Sequence, residues 1–160
     1  MVKLSSKPLW VSPSGYQQTD DEFKKSIIDN VSMGCKVYIG TDSMLYDDIC
    51  NFATVVAFHN NDIRVANYLY KRFKMPSLGY NDLQTKITEE VNLAIQAAQL
   101  VMSCCPDAEI EVHVDIGRNK RNKTRGLLPM VRGWVSGMGF NLRIKPESWA
   151  SSSIADCHTK

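Results

Sequence analysis

Apolar residues recur at intervals of three and four between positions 82 and 105 (Leu83, Ile87, Val91, Ala94, Ala98, Val101), and this spacing predicts an amphipathic helix of several turns. Phe23, Ile27, Ile28 and Val31 repeat the pattern on a smaller scale. They follow Thr19 and Glu22, whose separation is that of a capping box, so a first helix is expected to open there and run to about Ser32. The fifteen residues at the start, broken by Pro8, Pro13 and Gly15, read as irregular. Residues 36–42, 52–59 and 63–70 are rich in β-branched and aromatic side chains and predict three strands, with Asn60 and Asn61 forming a tight turn between the second and third. Further on, 109–115 predicts a fourth strand and 127–138 a helix with Val131, Trp134, Val135 and Met138 inward. Residues 141–145 predict a fifth strand, and a short last helix follows from about Ser151.

The predicted order is helix, three strands, long helix, strand, helix, strand, helix. The first three strands are close enough in sequence to form an antiparallel meander. The last two are each reached through a helix and should run parallel to a neighbour, so the expected class is α/β with a mixed sheet covered by helices. With 160 residues, 44% of them hydrophobic, the chain can bury one continuous core, and a single domain over 1–160 is expected. The opening MVKLSSKPLW lacks a signal-like apolar stretch and no apolar run is long, so the expectation is a cytoplasmic protein outside the membrane. Five cysteines without CxxC spacing fit reduced thiols rather than a disulfide frame or a zinc site.

Asp42 and Asp115 fall at the ends of the first and fourth predicted strands. Parallel neighbours would place the two carboxylates side by side outside the carboxyl ends of the strands, where ligands gather in such sheets; singly, each also reads as a solvated turn residue. On the long helix Glu90 lies about 60° from the centre of the apolar stripe and Glu89 about 160°, so Glu90 borders the buried face and Glu89 is solvated. A glutamate at that border needs a counter-charge, which a metal ion or a basic side chain can supply. Asp156 falls on the polar face of the last helix with Ser152 and Thr159, opposite Ala150, Ile154 and Cys157. Carboxylates converging from different elements suit hard divalent cations, two of which ~4 Å apart can clamp the attacking and leaving oxygens of a phosphodiester.

The net charge of +2 is too small to mark a nucleic-acid binder, but it conceals a concentration. Directly after Asp115, Arg118, Lys120, Arg121, Lys123 and Arg125 occupy eight positions, a candidate phosphate-holding loop that Arg64, Lys71, Arg72 and Lys74 would extend. Ser43 and His158 are candidate helpers, His158 also reading as a surface residue or a last-turn cation. No GxGxxG, HExxH or GxSxG motif is present, which sets aside dinucleotide binding, zinc hydrolysis and a serine-hydrolase elbow.

Ile39-Gly-Thr-Asp42-Ser43, Glu90-Val91, Val114-Asp115-Ile-Gly117, Thr124-Arg125, Lys145-Pro146, Trp149-Ala150-Ser-Ser, Ala155-Asp156 and His158-Thr-Lys160 together resemble the YkuK family of ribonuclease-H-like proteins. The likeness runs from about Trp10 to the end. It implies the ribonuclease-H-like fold: a five-stranded mixed sheet, its first three strands antiparallel, flanked by helices. It also implies an acidic site of Asp42, Glu90, Asp115 and Asp156 binding Mg2+ or Mn2+, with two ions expected. The N-terminal helix and the basic loop are additions to a minimal ribonuclease H. The function so implied is a metal-dependent nuclease, an endonuclease on RNA/DNA hybrid or other structured nucleic acid. The alternatives are a structure-selective DNA nuclease of junction-resolvase type and a non-catalytic nucleic-acid-binding module on the same fold.

Overall fold

The computed structural model describes residues 7–62, 65–117, 121 and 123–160. Strand alternation organises it. In β3 (Lys36–Tyr46), Val37 and Ile39 point to one face of the sheet and are fully buried, while Tyr38, Gly40 and Asp42 point to the other. β4 (Ile49–Asn60) and β5 (Val65–Pro76) continue an antiparallel meander, joined through a turn in which the Asn60 side chain accepts a hydrogen bond from the Asp62 amide. β6 (Ile110–His113) lies parallel to β3, and β7 (Asn141–Arg143) parallel to β6.

Among the described residues the sheet has seven strands rather than five, in the order β2-β1-β5-β4-β3-β6-β7. The two additional strands are β1 (Trp10–Val11) and β2 (Gln17–Gln18), which pair with each other and add to the edge of β5. At two residues each they are too short to show alternation, so this segment reads as irregular. Trp10 fixes them in place by stacking on Phe23, ring centroids 4.4 Å apart and nearly coplanar.

One face is covered by α1 (Asp20–Ser32), α2 (Leu83–Cys104) and α3 (Leu128–Gly137), which share the main core with the inward row of the sheet. The Thr19–Glu22 capping box opens α1 as the spacing predicts, and Asp82 caps α2 through the Thr85 amide. Ile28 and Met138, expected inward, are exposed, and Asn30 is buried instead. A 3-10 turn at Arg125–Leu127 leads into α3. Among the described residues no helix is long and apolar enough to cross a membrane, and all five cysteines are free thiols.

The opposite face is covered by the C-terminal helical segment, a π-helical turn at Ala150–Ala155 running into α4 (Asp156–His158). The wider turn shifts the faces that an α-helical projection assigns: Thr159 is fully buried and Cys157 exposed, the reverse of the expected arrangement. Small residues let this segment lie close to the sheet. A Cβ on Gly40 would stand 2.4 Å from the Ser151 amide nitrogen and 2.7 Å from the Ala150 carbonyl carbon, both backbone atoms that cannot move aside singly. Gly40→Ala should therefore lift the segment off β3 and destabilise the protein by roughly 1–3 kcal/mol. A thermal melt matching the wild type would show that the contact is not the constraint it looks to be.

Candidate active site

β6 is hydrogen-bonded to β3 only from Val37↔Ile110 to Gly40↔His113 and then turns away, the Val114 amide donating instead to the Arg143 carbonyl. β3 runs on to Tyr46, still paired with β4. Asp42 thus stands within an eleven-residue strand and not at its end, and Asp115 lies two residues beyond β6. Extending the parallel register by two residues brings Asp115 opposite Asp42, along an edge of β3 that β6 no longer covers.

At that edge the alternation sends neighbours to opposite faces. Ser43 turns toward α2, where its hydroxyl donates a 2.5 Å hydrogen bond to Glu90 Oε1. Asp42 turns toward the C-terminal segment and meets Asp156, within hydrogen-bonding reach of its carboxyl. Glu90 is 6% exposed, on the buried side of α2 as its angular position predicts, whereas Glu89 is only half-buried beside Tyr80. Lys145 Nζ stands 2.9 Å from Asp115 Oδ1, and Lys160 Nζ 3.6 Å from Asp156 Oδ2.

Burial pushes the Glu90 carboxyl up to about 8. The Ser43 hydroxyl opposes that shift, the charge of Asp42 adds to it, and Lys86 and Lys145 moderate it. Asp42 is also pushed up, first by burial; the Ser43 amide acts against this, and Asp156 reinforces it by both hydrogen bonding and repulsion.

The four acids stand in separate partnerships: Asp42 with Asp156, Glu90 with Ser43, Asp115 with Lys145. Among the described residues no three His, Cys, Asp or Glu side chains stand in an arrangement that holds one metal ion. The chemistry of the donors nevertheless suits a hard divalent cation. All are oxygens, and two carboxyls are held up by burial. Asp115 Oδ1 is buried with no formed hydrogen bond, despite the nearby ammonium of Lys145.

The other candidates divide. His158 does not join the acids: its Nε2 is 3.1 Å from the Tyr68 hydroxyl and its ring stacks on Tyr70 at 3.7 Å, a fastening of the C-terminal segment to β5. Arg121, Lys123 and Arg125 are exposed on the segment after Asp115, which Thr124 draws in by accepting from the Gly117 amide; Arg118 and Lys120 lie outside the described residues. Arg64 also lies outside them. Lys71 faces the helices, half-buried over the rings of Trp10 and Phe73, and so leaves the proposed track, whereas Arg72 and Lys74 are exposed.

Four contributors escape the sequence reading. Lys86 sits one turn before Glu90 on α2, a spacing that could have been noticed. Lys145 follows a strand end with no local signal. His113 is buried, its Nδ1 accepting from the Ala150 amide and its Nε2 3.0 Å from Glu111, so it holds the start of the C-terminal segment as a neutral ring that burial keeps below the ordinary imidazole range. Gly40, a glycine inside an apolar strand, is the conventional sign of a close backbone approach.

The raised carboxyl has a thermodynamic consequence. Folded Glu90 keeps a proton up to about pH 8 that an unfolded chain releases near 4.5. Its stabilising contribution is complete below about 4.5 and is lost as pH rises to about 8, by at most about 1.4 kcal/mol per pH unit. In metal-free buffer the melting temperature should fall across this range, and Glu90→Gln should flatten the fall. An equally steep decline in the variant would assign it to other groups.

A model of the family described as Ribonuclease H-like matches residues 18–160. An uncharacterised protein of Bacillus subtilis (strain 168), YkuK, is 28% identical over 139 residues, covering 76% of this chain and 77% of that protein. The match takes in both faces of the acidic edge, from the β3 aspartate to α4, and the chain belongs to the ribonuclease H-like family.

Proposed function

We propose that this protein is a metal-dependent nuclease that hydrolyses phosphodiester bonds, an endonuclease acting on RNA/DNA hybrid or another structured nucleic acid. The observation that carries the reading is the approach of Glu90 and Asp42 from opposite faces of β3 at its uncovered edge, with Asp156 beside Asp42. Family membership supports nucleic-acid chemistry.

In this reading Asp42, Glu90, Asp115 and Asp156 hold Mg2+ or Mn2+. Bound there, such ions would supply the acidity that activates a water and the charge that stabilises a leaving oxygen. Glu90 gives up the proton it keeps in the metal-free protein, and Ser43, donating to Oε1, steers which oxygen stays available. Asp115 would have to release the Lys145 ammonium to take its place in such a site; Lys145 is 44% exposed and has solvent to swing into. Lys123, Arg125 and their neighbours in the basic segment hold phosphates on one flank of the acids. The A-like, 2′-hydroxyl-bearing strand of a hybrid is the favoured target because the fold is best adapted to that geometry.

The ion pairs Lys145–Asp115 and Lys160–Asp156 favour one competing reading, a binding module whose acids are already neutralised by lysines. Labelled hybrid, duplex, single-stranded and four-way-junction substrates, each with magnesium and with manganese, separate the two. Metal-dependent product from the wild type is expected. Asp42→Asn should reduce it to the level of a no-enzyme control, with a metal-free melting temperature equal to or above that of the wild type as carboxylate repulsion falls. Binding without product on every substrate would select the module, and cleavage that survives chelator would overturn the mechanism.

A further inference from the structure

β5 carries a second basic surface that the acidic site does not account for. Its register runs Asp42↔Ala53 on β4 and Ala53↔Arg72 on β5, so Arg72 occupies the same row and the same face as Asp42, two strands away. Two strand spacings amount to roughly 10 Å. Lys74 is the next residue along that face. Arg72, Lys74, Lys160 and Asn51 line a cleft of about 270 Å³, and among the described residues no Asp or Glu side chain lines it. The Arg125 segment follows Asp115 beyond β6, across β3 from this cleft.

The groups in the cleft differ in what already occupies them. Arg72 is partly engaged, donating from Nε to the His158 carbonyl at 2.7 Å and from Nη2 to the Lys160 carbonyl at 2.6 Å. It therefore holds a fixed orientation while keeping its charge and its remaining N–H groups. Lys160 leans toward Asp156 at 3.6 Å. Lys74 is exposed and makes no ion pair among the described residues. A cleft with one anchored guanidinium, one unengaged ammonium and one shared ammonium suits a tetrahedral dianion or monoanion with several acceptor oxygens.

We propose that this cleft seats a backbone phosphate of the nucleic-acid strand whose scissile bond lies at Asp42, on the flank opposite the basic segment after β6. The inference rests on the nucleic-acid reading above and extends it to a two-sided grip. A separation of roughly 10 Å corresponds to about three steps of ~3.4 Å along a helix axis, so the seated phosphate belongs to a nucleotide a few steps from the reacting one.

Lys74 is the clean probe, because Arg72 also fastens the C-terminal segment and Lys160 touches Asp156. Fluorescence anisotropy would follow binding of labelled single-stranded RNA, single-stranded DNA and RNA/DNA hybrid in chelator, across ~50 to ~200 mM salt. The proteins compared are the wild type, Lys74→Gln, Lys74→Glu and the double variant Lys123→Ala/Arg125→Ala. Lys74→Gln should weaken binding about 5-fold at the low-salt end and reduce the slope of log affinity against log salt by up to about one unit, with an unchanged melting temperature. Lys74→Glu should weaken it further. If both Lys74 variants bind with the wild-type affinity and slope while the double variant is weakened, the cleft is not a phosphate seat and the nucleic-acid reading stands. If the wild type binds none of the three probes at any salt, the parent reading fails and this proposal falls with it.

Discussion

The contact between Gly40 and the backbone of Ala150 and Ser151 is the constraint on which the acidic edge depends. Two backbones meet there with no side chain between them, and the separation a Cβ would need is simply missing. Ala53, Val55 and Ala57 on β4 continue the low floor under the segment, and Ala155 packs down onto it. The segment is then held at both ends. His113 accepts from the Ala150 amide at the start, and at the other end Asn51 and Arg72 donate to the Thr159, His158 and Lys160 carbonyls. Asp156 lies between these fastenings, so its approach to Asp42 is set by the packing and hydrogen bonds of the segment, against the repulsion of the two charges and with a hydrogen bond between the carboxyls when one is protonated.

That repulsion is what the site has to manage, and it does so differently on the two faces of β3. On the α2 side the answer is protonation: Glu90 is buried, so the neutral form is preferred and the Ser43 hydroxyl completes its hydrogen bonding. On the exposed side the answer is counter-charge, with Lys145 on Asp115 and Lys160 on Asp156. The lysine partners are partly solvated, at 44% and 63% side-chain exposure, so each pair is modest in strength and easily exchanged.

Much of this was legible in the sequence where periodicity is long. The 22-residue α2 declared both its span and the inward position of Glu90. The capping box marked the start of α1, and the β-branched runs marked the meander. What escaped is structure that periodicity does not encode. Strands β1 and β2 are too short to alternate and exist because Trp10 finds Phe23. The ends of β3 and β4 extend to the Tyr46↔Ile49 pair because a ladder, once registered, propagates through residues of weak strand character such as Asp42. A π-helical turn moved Thr159 inward and Cys157 outward, which no α-helical projection anticipates. Asp42 and Asp115 were nameable from the apparent ends of two strands, the first of which runs on past Asp42, and Glu90 from its helix angle, while Asp156 came only through the family resemblance. Of their lysine partners, Lys160 stands four residues after Asp156, a spacing that could have been noticed, whereas Lys145 owes its position to how chain segments meet.

The same reasoning explains why a net charge of +2 says so little about partners here. The acids are drawn to one short edge of β3, and part of the positive charge is spent against them by Lys86, Lys145 and Lys160. The remaining cations are distributed by strand alternation and by the segment after β6, and alternation is selective. Lys71 and Arg72 are adjacent in sequence, yet one is half-buried among aromatic rings on the helix side and the other is exposed on the face that Asp42 shares. A polyanion approaching that face meets Arg72 and Lys74 and then Asp42 and Asp156. The field it feels therefore changes sign along its path, and divalent cations at the acids would make it positive throughout. Under the proposed function, binding of nucleic acid and of metal would in this way be coupled through charge, each lowering the electrostatic cost of the other.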